Sequence, residues 1–305
     1  TVTKTTAGNL TLGGDAGVNV TGNLGVNNGS LTVSDNLTAG ADVTASQNVS
    51  VQDANVTGAL SATAGNVTGN GVSAGSVSAG GSVGVGSVNA GSVSAGTSVG
   101  VAGTANVTGN VGAGTSVSVG GGTTVGGTVT AGTTVNLSGP ADVNGDVSGG
   151  GAVTFGNAAN VGGNVSGVGV TFQGAAIFDG AGNQSAEAGT GGLVAHNTVT
   201  KTTAGNLTLG GDAGVDLNGN VAVTAGALEI NGKTTLNTGS VTTTGGQTYN
   251  DDVILQQNTV LSSTGDGNVE FHKTVNGAFG LEVNTGGNTD FGDGGADYVG
   301  NTAAL

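Results

Sequence analysis

An eighteen-residue phrase, TVTKTTAGNLTLGGDAGV, occupies Thr1 to Val18 and returns letter for letter at Thr198 to Val215. Past it the copies drift, yet apolar positions stay apolar. Leu24 and Val26 answer to Val221 and Val223, and Leu31 and Val33 to Leu228 and Ile230. A duplicated unit diverges in this way when packing holds its inward side chains and leaves the outward ones free. Self-similarity of this kind constrains the fold before any local propensity does. The duplication divides the chain into a first block, residues 1–197, and the start of a second, residues 198–305.

A shorter period lies inside the first block. The segments beginning at Ser92, Asn110, Thr128 and Asp146 align with one another at intervals of 18 residues. Within one period the apolar residues fall at Val107, Val111, Val117, Val119 and Val125. Neighbours two apart, such as Val117 and Val119, share one face of a strand. The longer steps carry Gly, Asn and Ser, which suit tight bends. Each period therefore reads as two or three very short strands joined by sharp corners.

One such period cannot bury its valines alone. Coiling the chain and stacking the coils does so, and Val99, Val117, Val135 and Val153 then form a ladder of like side chains. The fold expected is all-β: a parallel β-helix with coils of about 18 residues, longer toward the C-terminus. On the order of 16 such coils, about 4.8 Å apart, would make a rod roughly 75–80 Å long. Composition agrees. The chain holds 66 Gly and a single Pro, with abundant Val and Thr. Glycine costs about 1 kcal/mol per helical position relative to alanine, and Val, Thr, Ser and Asn are mediocre helix formers. Branched side chains suit a pleated backbone.

After Phe178 the period loosens, and residues 181–197 are expected to form a loop or irregular coil. The later coils are expected to be longer and bulkier, around Val253 to Leu255, Val269 to Phe271 and Leu281 to Val283. No capping helix or charged terminal coil is visible in the sequence. The chain is thus expected to be a slice of a longer protein, or a unit that self-associates through uncapped ends. Thr1 reads as a processed terminus or the edge of a fragment.

Charge excludes several functions. The formal net charge is −15, the only Lys are Lys4, Lys201, Lys233 and Lys273, and there is no Arg. Such a surface repels nucleic acid, which needs basic groups to displace counterions, and repels anionic lipid. No apolar stretch reaches membrane-spanning length, so no membrane insertion is expected of this segment. With no Cys, disulfide and thiolate chemistry are absent.

Candidate sites are few. Gly71, Ser73 and Gly75 match the spacing of a nucleophile elbow, but that motif needs a strand-to-helix turn and a His–Asp pair. They read as repeat composition. His196 and His272 are the only histidines and lack the spacing of a zinc site. Asp251-Asp252, Asn288-Thr289-Asp290 and His272-Lys273 could gather carboxylates across coils for polysaccharide cleavage, which needs a carboxylate pair. Asp293 and Asp297 half-match a calcium-binding nonapeptide, so an occasional Ca²⁺ is the one cofactor the residues admit. Thr97, Thr115 and Thr133 form a polar ladder, read as outward hydrogen-bonding residues. Asn66-Val-Thr68 and Asn106-Val-Thr108 have the form of glycan acceptors, frequent by chance in so Asn- and Thr-rich a chain.

One stretch, Thr242 to Gly292, resembles repeats of bacterial surface adhesins of the filamentous-haemagglutinin type, secreted by the two-partner or autotransporter-like routes. The resemblance rests on a turn at Gln247 to Asn250, strands at Val253 to Leu255 and Asn268 to Phe271, and the run Leu281 to Gly287. It implies a right-handed β-helix, secretion to the cell surface, and a role in adhesion or matrix. The function expected is therefore a non-enzymatic extracellular stalk, with a host or cell-surface glycan or protein as ligand. The alternative is a subunit of a self-assembling filament, and a polysaccharide-cleaving β-helix is the remote third.

Overall fold

The computed structural model describes residues 1–292, 294 and 297–300. Among them it is all-β, without helix, and its strands pair in parallel. By internal contacts the chain divides into two compact units, Thr1–Gly145 and Asp146–Leu305. The duplication boundary at 197/198 falls inside the second.

The first unit opens with the strands Val2–Lys4, Leu10–Leu12 and Val18–Val20, which make one coil. The next coil lies directly upon it: Val2 pairs with Leu24, Leu10 with Leu31 and Val18 with Leu37. Alternation then sets the core. In Ala105–Val107 the outer residues are buried while Asn106 faces water. Val99 stacks on Val117 and Val117 on Val135, each 1% exposed. The 18-residue ladder thus runs through this unit in the expected register.

Coil length varies around that ladder. Val77 pairs with Val93, 16 residues on, in the tightest part of the unit. There the 13-residue strand Val67–Ala79 runs continuously around the corners, and its Val67, Val72 and Val77 face three successive partners, Val83, Val88 and Val93. With no residue to spare for separate turns, strand geometry persists through the bends.

In the second unit Val153 stacks on Val170, Val170 on Leu193, and Leu193 on Val215. The spacing widens, reaching 23 residues between Ala186 and Leu209. Residues 181–197, expected to be irregular, instead carry the strands Gln184–Ala188 and Leu193–Ala195, paired with neighbours before and after. Their inward residues are Gln184, Ala186 and Ala188, so small and polar side chains masked the alternation.

Larger side chains enter this core. Phe155 stacks on Phe172 at 5.1 Å and 9°, and Phe172 meets Phe178 edge-on at 6.0 Å. Tyr249, Phe271 and Phe291 form a second stack with 5.0 Å between successive rings. That spacing follows from the parallel register, which places like positions of adjacent coils about 4.8 Å apart.

The corners are held by side-chain amides and carboxylates. Asn48 Oδ1 accepts the Asn66 N–H at 2.8 Å, and Asn66 Oδ1 accepts the Ser82 N–H at 2.8 Å. Asn183 serves Asn206, and Asn206 serves Ala227, in the second unit. A sharp corner tilts one backbone N–H out of the strand ladder, and a short side chain in the coil before supplies the acceptor.

Candidate functional site

The sequence motifs do not converge. Gly71, Ser73 and Gly75 lie within the continuous strand Val67–Ala79, where Ser73 is flanked in register by Asn55 and Asn89. No strand-to-helix turn exists there to expose a nucleophile. Thr115 Oγ1 donates to the Thr97 carbonyl at 2.8 Å, and Thr133 Oγ1 to that of Thr115 at 2.9 Å. This threonine ladder spends its hydroxyls on its own corner.

The acidic and basic residues near residues 250–290 are likewise dispersed into local pairs. Lys273 Nζ binds Asp251 Oδ1 at 2.8 Å, and this hydrogen bond holds the Asp251 carboxyl below its usual range. Asp252 Oδ1 accepts the Thr274 N–H at 3.2 Å, so it closes a corner. Glu270 is the register neighbour of Asp290 and lies 3.9 Å from His272 Nε2. All of these side chains line open surface. Beside them, Lys233, Asp252, Ile254, Thr274 and Asn276 line a surface pocket.

Among the described residues there is no group of three or more His, Asp or Glu placed to share a metal ion. His196 and His272 are not brought into one. Asp293, one half of the calcium candidate, lies outside the described residues. Asp297 is half-buried beside Gly292, and its Oδ2 has no hydrogen-bond partner among the described residues.

A concentrated polar cluster lies inside the second unit, and no reading of the sequence singled it out. Lys201 is 0% exposed. Its Nζ donates to the Gly180 carbonyl, to Gln184 Oε1 and to Thr203 Oγ1, each at 3.0 Å. Gln184 is locked in turn by donating to the Val161 and Gly163 carbonyls at 2.9 and 2.8 Å. Three acceptors suit the three protons of an ammonium group. Burial pushes the Lys201 pKa down, and the nearby Asp179 charge opposes that shift. A second polar island joins Tyr249 Oη to Gln247 Oε1 at 3.0 Å, and burial raises the Tyr249 pKa. The available signal was a charged residue at an inward place of an alternating strand, Val199-Thr200-Lys201. The hydrogen bonds named here run between residues of the fold itself, so these islands brace coils.

On the outer surface, Glu187 faces Gly210 of the next coil, and its pKa is raised by burial and then by Glu229. No helix is long and apolar enough to cross a membrane among the described residues. No protein-family model, no curated protein and no solved structure matches the chain.

Proposed function

We propose that this chain is a non-enzymatic structural element of an extracellular protein, the β-helical stalk of a cell-surface adhesin. One observation carries the reading: polar groups that could do chemistry are committed to the neighbouring coil. Asn66, Asn206, Thr115 and Lys201 each satisfy backbone or side-chain groups one coil away. A surface built this way contributes length and regularity, and adhesion is left to a ligand-binding region carried elsewhere in the parent protein. The acidic, Arg-free composition is compatible with an exposed outer-surface location.

Antibodies raised against the chain should label intact, unpermeabilised cells of the source organism. A panel of polysaccharides incubated with the chain should yield no new reducing ends. Labelling only after permeabilisation, or steady release of reducing ends, would sink the proposal. The filament reading draws its support from the parallel coil-on-coil pairing, a pattern that a like coil of another copy could continue. Fibres that lengthen with protein concentration under the electron microscope would select it over the stalk.

A further inference from the structure

The repeated phrase is folded the same way twice, and its second copy shows what a preceding coil does to it. Strands begin at corresponding residues in both copies: Val2, Leu10 and Val18 against Val199, Leu207 and Val215. Contacts to the following coil also agree. Asn9 Oδ1 accepts the Ser30 N–H, and Asn206 Oδ1 the Ala227 N–H, both at 3.0 Å. Gly8 and Gly205 each donate an N–H to the following coil at 3.0 Å, to Asn28 and Ala225. Lys4 Nζ meets Thr6 Oγ1 at 2.8 Å, as Lys201 Nζ meets Thr203 Oγ1 at 3.0 Å.

The preceding side differs. In the second copy, Ala176 lies over Val199, Phe178 over Lys201, Gln184 over Leu207 and Ala186 over Leu209. Val199 is 1% exposed there, whereas Val2 is 44% exposed. Asn206 donates its N–H to Asn183 Oδ1 at 2.9 Å. Gly205, at φ +127°, approaches the Gly182 carbonyl so closely that a Cβ would collide with it. The same glycine in the first copy, Gly8 at φ +108°, has nothing within 4 Å of that position. Gly8, the Lys4 ammonium and the apolar edges of Val2, Leu10 and Leu12 are therefore shaped for a neighbour of known chemistry.

We propose that the edge Thr1–Leu12 is a docking surface for a β-solenoid coil of the type seen at Ala176–Ala188. Its features are an inward phenylalanine, then a Gly-x-Gly-Asn-Gln corner. The incoming coil pairs in parallel, with its phenylalanine over Lys4 and its glutamine over Leu10. Its corner carbonyl and glutamine Oε1 take two protons of the Lys4 ammonium, and its asparagine accepts the Asn9 N–H. The inference stands on the fold and the identical sequence alone, and is independent of whether the protein is a stalk.

The test adds a duplicate of residues 146–197 in front of Thr1 of the full chain. Amide hydrogen exchange at Val2 to Leu12 should slow at least 100-fold, toward the rates at Val199 to Leu209. Amine acetylation of Lys4 should fall at least 10-fold. An extension carrying Phe178→Asp and Gln184→Ala should give neither effect. A synthetic peptide of residues 173–197, added in trans to the unmodified chain at millimolar concentration, provides the second measurement. Absence of protection in both formats overturns the proposal. Equal protection by the doubly substituted extension overturns it too, because the claimed register is then irrelevant. Protection of the unmodified chain that rises with its own concentration overturns it in favour of a second copy as occupant.

Discussion

Replacing Phe172 by alanine tests whether each coil is stabilised mainly by its immediate neighbours. The ring is 1% exposed, stacked on Phe155 at 5.1 Å and set edge-on to Phe178 at 6.0 Å. Truncating a buried Phe to Ala costs about 3–5 kcal/mol through lost transfer energy and the cavity left behind. Each aromatic pair adds about 0.5–1.5 kcal/mol beyond area, so losing two of them places the variant at the upper end of that range. Coils touch only their neighbours, so the loss should be local. Native-state hydrogen exchange should show strands Ala152–Phe155, Gly169–Phe172 and Leu193–Ala195 losing about 4–5 kcal/mol of protection, with Ser116–Val119 unchanged. Phe291→Ala removes a ring that is 45% exposed and stacked on one side only, and should cost about 1 kcal/mol. A Phe172→Ala loss below about 1 kcal/mol, or one spread evenly over the chain, would refute the argument.

The same logic extends to the polar interior. Lys201→Ala leaves Gln184 Oε1 without its donor, while Thr203 Oγ1 still serves the Gly180 carbonyl, and should cost about 2–4 kcal/mol by chemical denaturation, while Lys4→Ala stays within about 0.5 kcal/mol. Thr123 is 3% exposed between Ala105 and Ala141 and its hydroxyl has no partner, so Thr123→Val should raise stability by about 1 kcal/mol, and a loss would show a missed hydrogen bond. Because burial depresses the Lys201 pKa, the unfolded chain binds more protons between that value and the ordinary 10.5. Stability from this group should therefore rise as pH increases across that window, and a Lys201→Met variant should lack the rise. Glu187 is shifted upward, so its contribution should fall as pH rises through its folded-state pKa, an effect absent in Glu187→Gln.

Much of this architecture was legible where valine marks the inward places. Val99, Val117 and Val135 stand at the predicted spacing because one face of each strand must be apolar and the corners there are of equal length. Legibility failed where inward places carry other residues. Gln184, Ala186 and Ala188 hide a strand because polarity and small size erase the alternating signal. The buried place of Lys201 left no local mark because its acceptors, Gly180 and Gln184, are 21 and 17 residues away and belong to the preceding coil. The candidate carboxylates were visible in sequence, but their pairing was not. Asp251 meets Lys273 across 22 residues, and only the coil length decides which side chains become neighbours.

The parallel register also has a mechanical consequence. Force applied across stacked coils loads their backbone hydrogen bonds as a zipper, a few at a time, instead of shearing many together. Coils should then peel singly from a pulled edge. Each 18-residue coil would release at most about 60–65 Å of chain, and a 23-residue coil about 75–83 Å. A pulling trace would thus report coil length directly, with the widened coils around Gln184 to Leu209 appearing as the longest steps.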